Sequence, residues 1–237
     1  KKEYLQSNTF LTNKLFDEFL KSDSKIFIYM SSVKAVTDSV DQELTEDQNP
    51  NPISYYGISK LLAEKYILSK KIPNKKRVYI LRPCMIHGLG NKGNLNLLHS
   101  IVSKKIPWIL GEFNNKRSYC SIDNLLFIIK ELIENKSIKS GIYNIADDVP
   151  LSTNDVVSLI GTSQNRKVSI LKIPKILIRF LALIGDWLPL PLNSERLKKL
   201  TESYVVSNKK ILDSIGKDLP LSSRVGLLKT FSDFQNK

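Results

Sequence analysis

The segment Lys25–Ser32, KIFIYMSS, decides the fold of this chain. Its five consecutive apolar or aromatic residues do not alternate with polar ones, which is typical of a strand buried on both faces of a parallel sheet. A helix is expected over residues 55 to about 69, and a second apolar strand over Arg77–Leu81. A third strand is expected over Gly141–Ala146. This alternation of strands and helices predicts an α/β fold with a doubly wound parallel sheet.

The rest of the chain predicts further helices, two loops and one short strand. Residues 84–94 and 114–122 are expected to form loops, and Pro107–Leu110 a short strand. One helix is expected to begin at the cap-like pair Ser152-Thr153. The other helices are expected over residues 3–21, 95–104, 125–133, 175–186, 194–202 and 208–215. The helix-rich last part of the chain predicts a smaller lobe appended to the sheet.

The composition is that of an ordinary globular protein. Of 237 residues, 42% are apolar and 25% are charged, which excludes a fibrous, disordered or disulfide-stapled protein. Cys84 and Cys120 form no CxxC motif, which argues against a zinc site or a redox pair and favours a cytoplasmic location. The most apolar stretch, residues 173–192, is interrupted by prolines and charges, so no membrane insertion is expected.

The chain carries a net charge of +13. Its lysines and arginines occur as scattered pairs and short clusters without interleaved aromatic residues, which is typical of solvated helix faces and not of a nucleic-acid surface. No nucleic-acid partner is therefore expected. A positive surplus of this size favours acidic small molecules, and a sugar nucleotide or a dinucleotide would qualify.

Three residues form the clearest chemical constellation. Ser32 ends the first predicted strand, and Tyr56 and Lys60 follow in the motif YGISK. Side chains four residues apart share one helix face, so the ammonium of Lys60 can lie beside the phenol of Tyr56 and lower its pKa. Such a phenol suits a general base that removes a hydroxyl proton, with the Ser32 hydroxyl holding the same substrate oxygen. A YxxxK pair alone is also compatible with a solvated helix face.

A glycine-rich GxGxxG motif occupies Gly88–Gly93, and Glu112 falls near the spacing of a ribose-binding acid. A dinucleotide-binding motif normally has its first glycine at the very end of a strand. Here six residues, Arg82–His87, separate that glycine from the predicted strand. This separation argues against a dinucleotide-binding site, and the motif is interpreted as a turn.

Together these segments resemble the extended short-chain dehydrogenase/reductase family, in its NAD-dependent sugar-nucleotide epimerase/dehydratase branch, which includes UDP-glucose 4-epimerases. The segments that carry the resemblance are the helix around Asn8, the strand Phe27–Ser32, the motif Tyr56–Lys60, the strand end Leu81–Pro83 and the segment Arg117–Leu125. The resemblance implies a Rossmann-like sheet and NAD as the cofactor. The family's first half, with its glycine-rich turn, has no counterpart here. The chain is therefore expected to lack an N-terminal part of about 90 residues.

The resemblance implies a role for each site residue. Tyr56 is implied to be the catalytic base, Lys60 to lower its pKa and hold the nicotinamide ribose, and Ser32 to orient the sugar hydroxyl. The residues implied to line the nicotinamide end are Asn8, Pro83 and Cys84, and those implied to bind the nucleotide diphosphate are Asn94 and Arg117.

One departure from the family bears on the reaction. Val33 and Lys34 follow Ser32 where dehydratases of this branch have an Asp-Glu pair, so elimination of water lacks its acid and base. The resemblance therefore implies epimerisation at C4 of a UDP-hexose or UDP-N-acetylhexosamine for surface polysaccharide synthesis. Two alternatives stay open: an NAD(P)-dependent reductase of a 4-keto sugar nucleotide, and a non-catalytic nucleotide-sensing relative. Met85 replaces a substrate-binding asparagine of some UDP-galactose epimerases, which leaves the hexose open.

The resemblance also implies an organisation into two parts. Residues 1–86, joined by 123–147, are expected to form the C-terminal part of an NAD-binding domain. Residues 87–122 and 148–237 are expected to form the substrate-binding lobe. A homodimer is expected through the helices around residues 8–20 and 57–69.

The remaining aromatic and histidine residues predict no further site. Trp108, Phe180 and Trp187 are expected to lie in the core. His87 and His99 are isolated in the sequence, so no metal site is expected.

Overall fold

The computed structural model of the protein describes residues 2–91, 93–188 and 192–235. Its strands are β1 (Ile26–Met30), β2 (Arg77–Pro83), β3 (Met85–His87), β4 (Tyr119–Ser121) and β5 (Gly141–Ile145). Its helices are α1 (Lys2–Tyr4), α2 (Leu11–Lys21), α3 (Tyr55–Ser69), α4 (Asn94–Ser103), α5 (Ile122–Glu134), α6 (Thr153–Ser163), α7 (Lys175–Trp187), α8 (Ser194–Thr201), α9 (Lys209–Ile215) and α10 (Ser223–Gln235). A π-helical segment, Leu5–Phe10, joins α1 to α2, and a 3₁₀ turn, Val33–Ala35, follows β1.

The central sheet has three parallel strands in the order β1-β2-β5. Its register pairs Ile28 with Tyr79 and Leu81 with Tyr143. Six of the seven residues of β2 are buried, as expected of a middle strand that is covered on both faces. The predicted α/β fold class and its three parallel strands are confirmed. Because the strands are parallel, their carboxyl ends meet at one edge of the sheet.

Three predictions about local structure were wrong. The two predicted loops contain β3 and β4, which pair in parallel as a separate two-stranded sheet. Three-residue strands are too short to show a hydrophobic period, so the sequence pattern could not reveal them. The strand expected over Pro107–Leu110 is reduced to isolated bridges from Trp108 and Leu110 to the segment 170–172.

Side-chain caps define where two of the helices begin. The hydroxyl of Ser121 accepts a hydrogen bond from the backbone N–H of Asp123 at 3.3 Å and so starts α5. Ser152 and Asp155 form a reciprocal capping box at the start of α6. The cap predicted at Ser152 is confirmed, and α5 begins three residues before its predicted start.

The buried apolar residues fall into separate clusters. One lies between the central sheet and α2 and α3, around Phe16 and Ile67, and a second lies between the sheet and α5 and α9, around Ile128. A third holds together α4, α6, α7, α8 and α10. Trp108 belongs to this third cluster and is 3% exposed, which confirms its predicted place in the core.

The other two aromatic predictions were wrong. Phe180 is 58% exposed and Trp187 is 91% exposed. The buried residues of α7 are instead Ile178, Ala182 and Gly185. A Cβ on Gly185 would lie 1.9 Å from the carbonyl oxygen of Leu192. Gly185 therefore makes the close packing contact of α7, while Phe180 and Trp187 lie outside the core.

None of the helices in the described part of the chain combines the length and the apolar character needed to traverse a bilayer.

Candidate active site

The carboxyl end of β1 carries the first site residues. Ser31 and Ser32 follow β1 directly, and both are buried. Ser32 caps the 3₁₀ turn, because its Oγ accepts a hydrogen bond from the backbone N–H of Lys34 at 3.2 Å. Its hydroxyl is therefore held at the sheet edge where parallel sheets bind their ligands.

Helix α3 begins close beside this turn. The Oγ of Ser54 caps the helix by accepting a hydrogen bond from the backbone N–H of Gly57 at 3.1 Å. The Asp38 carboxylate accepts hydrogen bonds from the backbone N–H groups of Ile53 and Ser54 at 2.7 and 2.8 Å. Burial works against ionisation of Asp38, but these hydrogen bonds outweigh it and lower the pKa. A Cβ on Gly57 would lie 2.2 Å from the carbonyl oxygen of Lys34, so only glycine permits this approach.

Lys60 connects α3 to the end of β1. Its Nζ donates a hydrogen bond to the carbonyl oxygen of Met30 at 2.8 Å and lies 5.9 Å from the ring centroid of Tyr56. Burial lowers the pKa of Lys60, while the negative charge of Glu64 opposes the shift. The Lys60 ammonium therefore lies beside the Tyr56 ring while it is bound to the end of β1.

Asn8 lies on the π-helical segment, against α3. Its Nδ2 donates to the Oγ of Ser59 at 3.1 Å, and its backbone oxygen accepts from the Tyr29 hydroxyl at 3.4 Å. The half-buried Tyr56 ring meets the Tyr4 ring edge-on, with centroids 5.8 Å apart. Asn8, Tyr56 and Lys60 therefore belong to one cluster between β1 and α3.

A cavity of about 470 Å³ lies beside Ser32. The sequence-predicted site residues in its lining are Ser32, Cys84, Asn94 and Arg117. The other four predicted site residues, Asn8, Tyr56, Lys60 and Pro83, lie outside that lining, around α3 and the ends of β1 and β2. The structure thus gathers the predicted residues into two adjacent groups, with Ser32 next to Lys34 and the start of α3.

The charge of the cavity wall is positive. In the described part of the chain, its charged lining residues are Lys34, Arg117, Lys199 and Glu202. Burial lowers the pKa of Lys34, and its Nζ donates to the carbonyl oxygen of Asp38 at 2.6 Å. The Arg117 guanidinium donates to the backbone oxygen of Glu202 at 3.3 Å. Three cations against one carboxylate suit a ligand with two or more negative charges.

Tyr204 lines the cavity, although it lies far along the chain from Ser32. It was not identified as a site residue from the sequence. Its hydroxyl donates to the carbonyl oxygen of Thr37 at 2.7 Å, across 167 positions of sequence. The Nζ of Lys34 lies 4.3 Å from the centroid of its ring. The backbone of Arg117 bridges to both Leu151 and Tyr204. No local pattern reports contacts of this range, so the sequence held no signal for them.

A buried ionic network below the site was also missed. The Arg82 guanidinium and the Glu64 carboxylate form an ion pair at 2.6 Å, with side chains 3% and 1% exposed. The Nε of Arg82 donates to the same carboxylate at 3.0 Å, and the Ser31 hydroxyl donates to it as well. One signal was available: Glu64 lies four residues after Lys60 and so on the same helix face.

His87 is isolated in the sequence but has polar partners in the structure. Its ring nitrogens lie 2.9 Å from the Thr230 hydroxyl and 3.4 Å from the Asp147 carboxylate. Asp147 also accepts hydrogen bonds from the Ser121 backbone and the Asn124 amide. These contacts tie α10 to β3 and β4. No group of metal-ligating side chains occurs in the residues that the structure describes.

The glycine-rich motif joins β3 to α4. Gly88 directly follows β3, so the predicted separation of six residues between this glycine and a strand was wrong, although β3 belongs to the small sheet. Gly93 has a φ of 110° and precedes Asn94, the first residue of α4. Asn94 lines the cavity, so the glycine-rich turn leads to the cavity wall.

Comparison with known proteins identifies the class. The sequence model of the NAD dependent epimerase/dehydratase family matches residues 1–146. This match covers more than half of the chain, including the central sheet, Ser32, Tyr56 and Lys60. The chain therefore belongs to the NAD dependent epimerase/dehydratase family.

Two curated relatives are similar in sequence. The UDP-glucose 4-epimerase of Vibrio cholerae is 30% identical over 174 residues, which cover 72% of this chain and 53% of the relative. The N-acetyl-alpha-D-glucosaminyl-diphospho-ditrans,octacis-undecaprenol 4-epimerase of Escherichia coli O157:H7 is 29% identical over 175 residues, which cover 72% of this chain and 52% of the relative. The chain thus spans about half the length of the curated relatives that it matches.

A solved structure shows the shared fold. The UDP-glucuronic acid 4-epimerase from Bacillus cereus, in complex with NAD, superposes with a TM-score of 0.73 at 17% sequence identity, over 100% of this chain and 71% of that chain. This likeness confirms the predicted Rossmann-like architecture of the parallel sheet.

The β1 edge fits one end of the dinucleotide that the family name implies. The Lys60 ammonium has three donors, and Met30 accepts one of them. Beside it, the half-buried Tyr56 completes a polar corner for a ribose. Among the described residues, no strand of the three-stranded sheet ends in a glycine turn, so the residues present fit the nicotinamide-ribose end and not the pyrophosphate.

Proposed function

We propose that the protein is an NAD-dependent epimerase that inverts C4 of a nucleotide-linked hexose, such as UDP-glucose, UDP-galactose or a UDP-N-acetylhexosamine, for surface polysaccharide synthesis. The observation that carries the proposal is the position of the Lys60 ammonium between the Met30 carbonyl and the Tyr56 ring. This position is at the sheet edge where Ser32 lines a cationic cavity. Both curated relatives are named 4-epimerases.

In this proposal three side chains handle the proton. Tyr56 removes it from the sugar O4, Lys60 stabilises the resulting phenolate, and the Ser32 hydroxyl holds the same oxygen in place. NAD, when bound, supplies the hydride chemistry. Asn8, Pro83 and Cys84 are proposed to line the nicotinamide side of the site.

The cavity is proposed to receive the nucleotide diphosphate. Arg117 and Asn94, which were predicted as its ligands, line the cavity together with Lys34 and Lys199. A guanidinium can bind two phosphate oxygens at once, and the lysines add charge. Together they would balance the charge of a diphosphate without a metal ion.

The residues after Ser32 favour epimerisation over loss of water. Val33 is 4% exposed, and Lys34 is bound to the Asp38 carbonyl. Neither can act as the carboxylic acid or the carboxylate that elimination requires. A 4-keto reductase remains the alternative, and it differs by consuming one reduced cofactor for each product formed.

One observation favours a second substrate class. The Escherichia coli relative is named for a sugar linked through a diphosphate to undecaprenol. Such a substrate presents the same sugar diphosphate as a sugar nucleotide, with a lipid in place of the nucleoside. The proposed proton chemistry is the same for both classes.

The domain division is proposed as predicted. Residues 1–86 with 123–147 would form the cofactor part, and 87–122 with 148–237 the substrate lobe. The separate apolar clusters of the central sheet and of α4, α6, α7, α8 and α10 support this division. The homodimer and the cytoplasmic location stay predictions.

Replacing Tyr56 by phenylalanine tests the proposal. Tyr56→Phe removes the proton acceptor and leaves the ring, so the rate of UDP-hexose interconversion should fall by a factor of about 10² to 10⁴, which is the usual contribution of a general base. Tyr55→Phe is the matched control, since the neighbouring Tyr55 is 54% exposed, and it should retain activity. The measurement is chromatographic separation of the two epimers, made on the full-length protein with NAD.

Three outcomes would contradict the proposal: an unchanged rate in Tyr56→Phe, equal losses in both variants, or net oxidation of NADPH in place of interconversion. The last outcome would identify the reductase.

A further inference from the structure

Helix α7 presents an apolar stripe to solvent. The residues of the stripe, at helical spacings of four, three and four, are Ile176, Phe180, Leu183 and Trp187, with 82%, 58%, 57% and 91% of their surfaces exposed. The buried residues of α7, Ile178, Ala182 and Gly185, lie on the opposite side of the helix. The stripe is therefore not a partly covered core face, since it points away from the body of the lobe.

The apolar surface continues along one side of the stripe. Leu177, Leu181 and Leu188 are 49%, 39% and 55% exposed. A helix of ordinary surface position has charged residues opposite its buried face. Contiguous exposed apolar surface of this kind marks a site that binds a protein or a membrane.

The charges around α7 favour a membrane over a protein as the partner of the stripe. Seven basic and two acidic residues lie between Lys167 and Lys199. Lys172, Lys175 and Arg179 are all exposed on or next to α7. Exposed aromatic and aliphatic residues flanked by basic ones are typical of helices that lie in the interface of anionic membranes. A second copy of this chain would bring the same positive charges together, which disfavours self-association here.

The stripe also has a defined relation to the candidate active site. Ile178 and Ala182 of α7 share one buried cluster with Leu197 and Leu200 of α8. Lys199, on the same helix α8, lines the cationic cavity. A membrane bound at α7 would thus lie one helix away from the proposed diphosphate site.

We propose that α7 is a membrane-surface helix, with its stripe in the headgroup region of an anionic bilayer and the cavity held near that surface. The helix does not span the bilayer and lies along it. The inference is independent of the proposed proton chemistry, and it supplies a reason why a lipid-linked sugar diphosphate could reach the cavity.

Tryptophan fluorescence tests the proposal directly. The chain has two tryptophans, of which Trp187 is 91% exposed and Trp108 is 3% exposed. Vesicles of phosphatidylglycerol and phosphatidylcholine should shift the emission of the full-length protein to the blue, and pure phosphatidylcholine vesicles should shift it much less. Trp187→Phe should abolish the shift. An equal shift in Trp187→Phe, or no shift with anionic vesicles, would overturn the proposal.

Vesicle co-sedimentation provides the second test. Ile176→Ser with Phe180→Ser should weaken binding to anionic vesicles at least about tenfold, because two large side chains no longer enter the interface. Leu89→Ser with Leu126→Ser is the matched control, since these side chains are 73% and 57% exposed on other segments, and it should bind normally. Equal binding by both double variants would refute the assignment to α7.

Two further outcomes separate the alternatives. Lys175→Gln with Arg179→Gln should weaken binding to anionic vesicles and leave binding to neutral ones unchanged. A blue shift that grows with protein concentration in the absence of vesicles would show a second copy on the stripe and overturn the proposal. Tyr56→Phe should bind vesicles like the unaltered protein, so failure of the proposed chemistry and failure of this inference are distinguishable.

Discussion

The Glu64–Arg82 ion pair is buried close to the candidate site, with side chains that are 1% and 3% exposed. Burying two charges costs several kcal/mol for each ion, and their attraction offsets this only when the hydrogen bonds are well formed. Here Arg82 meets the carboxylate through Nε and a terminal nitrogen, and Ser31 adds a third donor. The pair thereby joins α3, which carries Tyr56 and Lys60, to β2, and the Ser31 hydroxyl connects the same carboxylate to the end of β1.

Removing one charge of this pair should be costly. Glu64→Gln leaves the Arg82 guanidinium buried without its counter-charge, so the free energy of unfolding should fall by about 3–5 kcal/mol. Denaturant unfolding followed by circular dichroism measures the change. Glu18→Gln, which breaks an exposed pair with Lys21, serves as the control and should leave the midpoint unchanged. Superimposable curves for Glu64→Gln and the unaltered protein would contradict the assignment of this pair as a structural link.

Cys84 and Cys120 are expected to resist alkylation. Burial raises the pKa of both thiols well above the ordinary value, with the Asp147 charge adding to the effect. At pH 8.5 the thiolate fraction of each should therefore be lower than that of a free cysteine, and the reaction with iodoacetamide slower. Mass spectrometry of the native protein should show little modification, and the unfolded protein should react at both positions. Rapid labelling of native Cys84 would show that the thiol is ionised in the cavity.

The parts of the site that sequence could predict are those encoded locally. Tyr56 and Lys60 lie one helical turn apart, and Ser32 ends an apolar strand, so spacing together with the order of strands and helices predicted two adjacent groups of site residues. Glu64 and Arg82 form a pair across 18 positions, and Tyr204 reaches Thr37 across 167. Contacts of this second kind depend on the tertiary fold, and no periodic pattern records them.

Among the secondary-structure elements, the central strands were predictable because β1, β2 and β5 are continuous apolar runs with helices between them. The short strands β3 and β4 were not, since each exists only through its pairing with the other. On α7, apolar residues occur on nearly every side, so hydrophobicity could not tell the buried side from the exposed one. The small residues Ala182 and Gly185 decided that orientation.

The contact between α3 and the 3₁₀ turn makes Gly57 a sensitive position. Gly57→Ala would place a Cβ 2.2 Å from the Lys34 carbonyl oxygen and 2.9 Å from the Pro52 side chain. The helix must then move away from the turn that carries Ser32, so we expect activity to be lost and stability to fall by about 1–3 kcal/mol. Thermal unfolding and the epimer assay measure both effects.

Gly141→Ala is the control for this change, because its nearest neighbour would lie 3.9 Å away. A Gly57→Ala variant with full activity would show that the close approach of α3 is not required.

At the scale of the whole molecule, the homodimer stays a prediction. The exposed leucines of α2 and α3 indicate which surfaces would form its interface. Leu11 and Leu15 of α2 are 52% and 54% exposed, and Leu62 and Leu68 of α3 are 42% and 55% exposed. Leu15→Asp should therefore convert a dimer to a monomer, because an unpaired carboxylate would be buried at the interface. Light scattering at several protein concentrations is the measurement. A monomeric unaltered protein, or a dimer that persists in Leu15→Asp, would exclude this interface.

The backbone of Arg117 bridges to Leu151 and Tyr204, so this wall of the cavity depends on segments that are synthesised late. Ser32, Tyr56 and Lys60 leave the ribosome well before Tyr204 does, and α3 can dock on β1 as soon as both exist. The cavity wall is complete only after Tyr204 has been synthesised. Completion of the wall is therefore a late folding event that depends on contacts distant in sequence. A nascent chain stalled before that residue would already hold the residues proposed for proton transfer, but it would lack the chamber that selects what they act on.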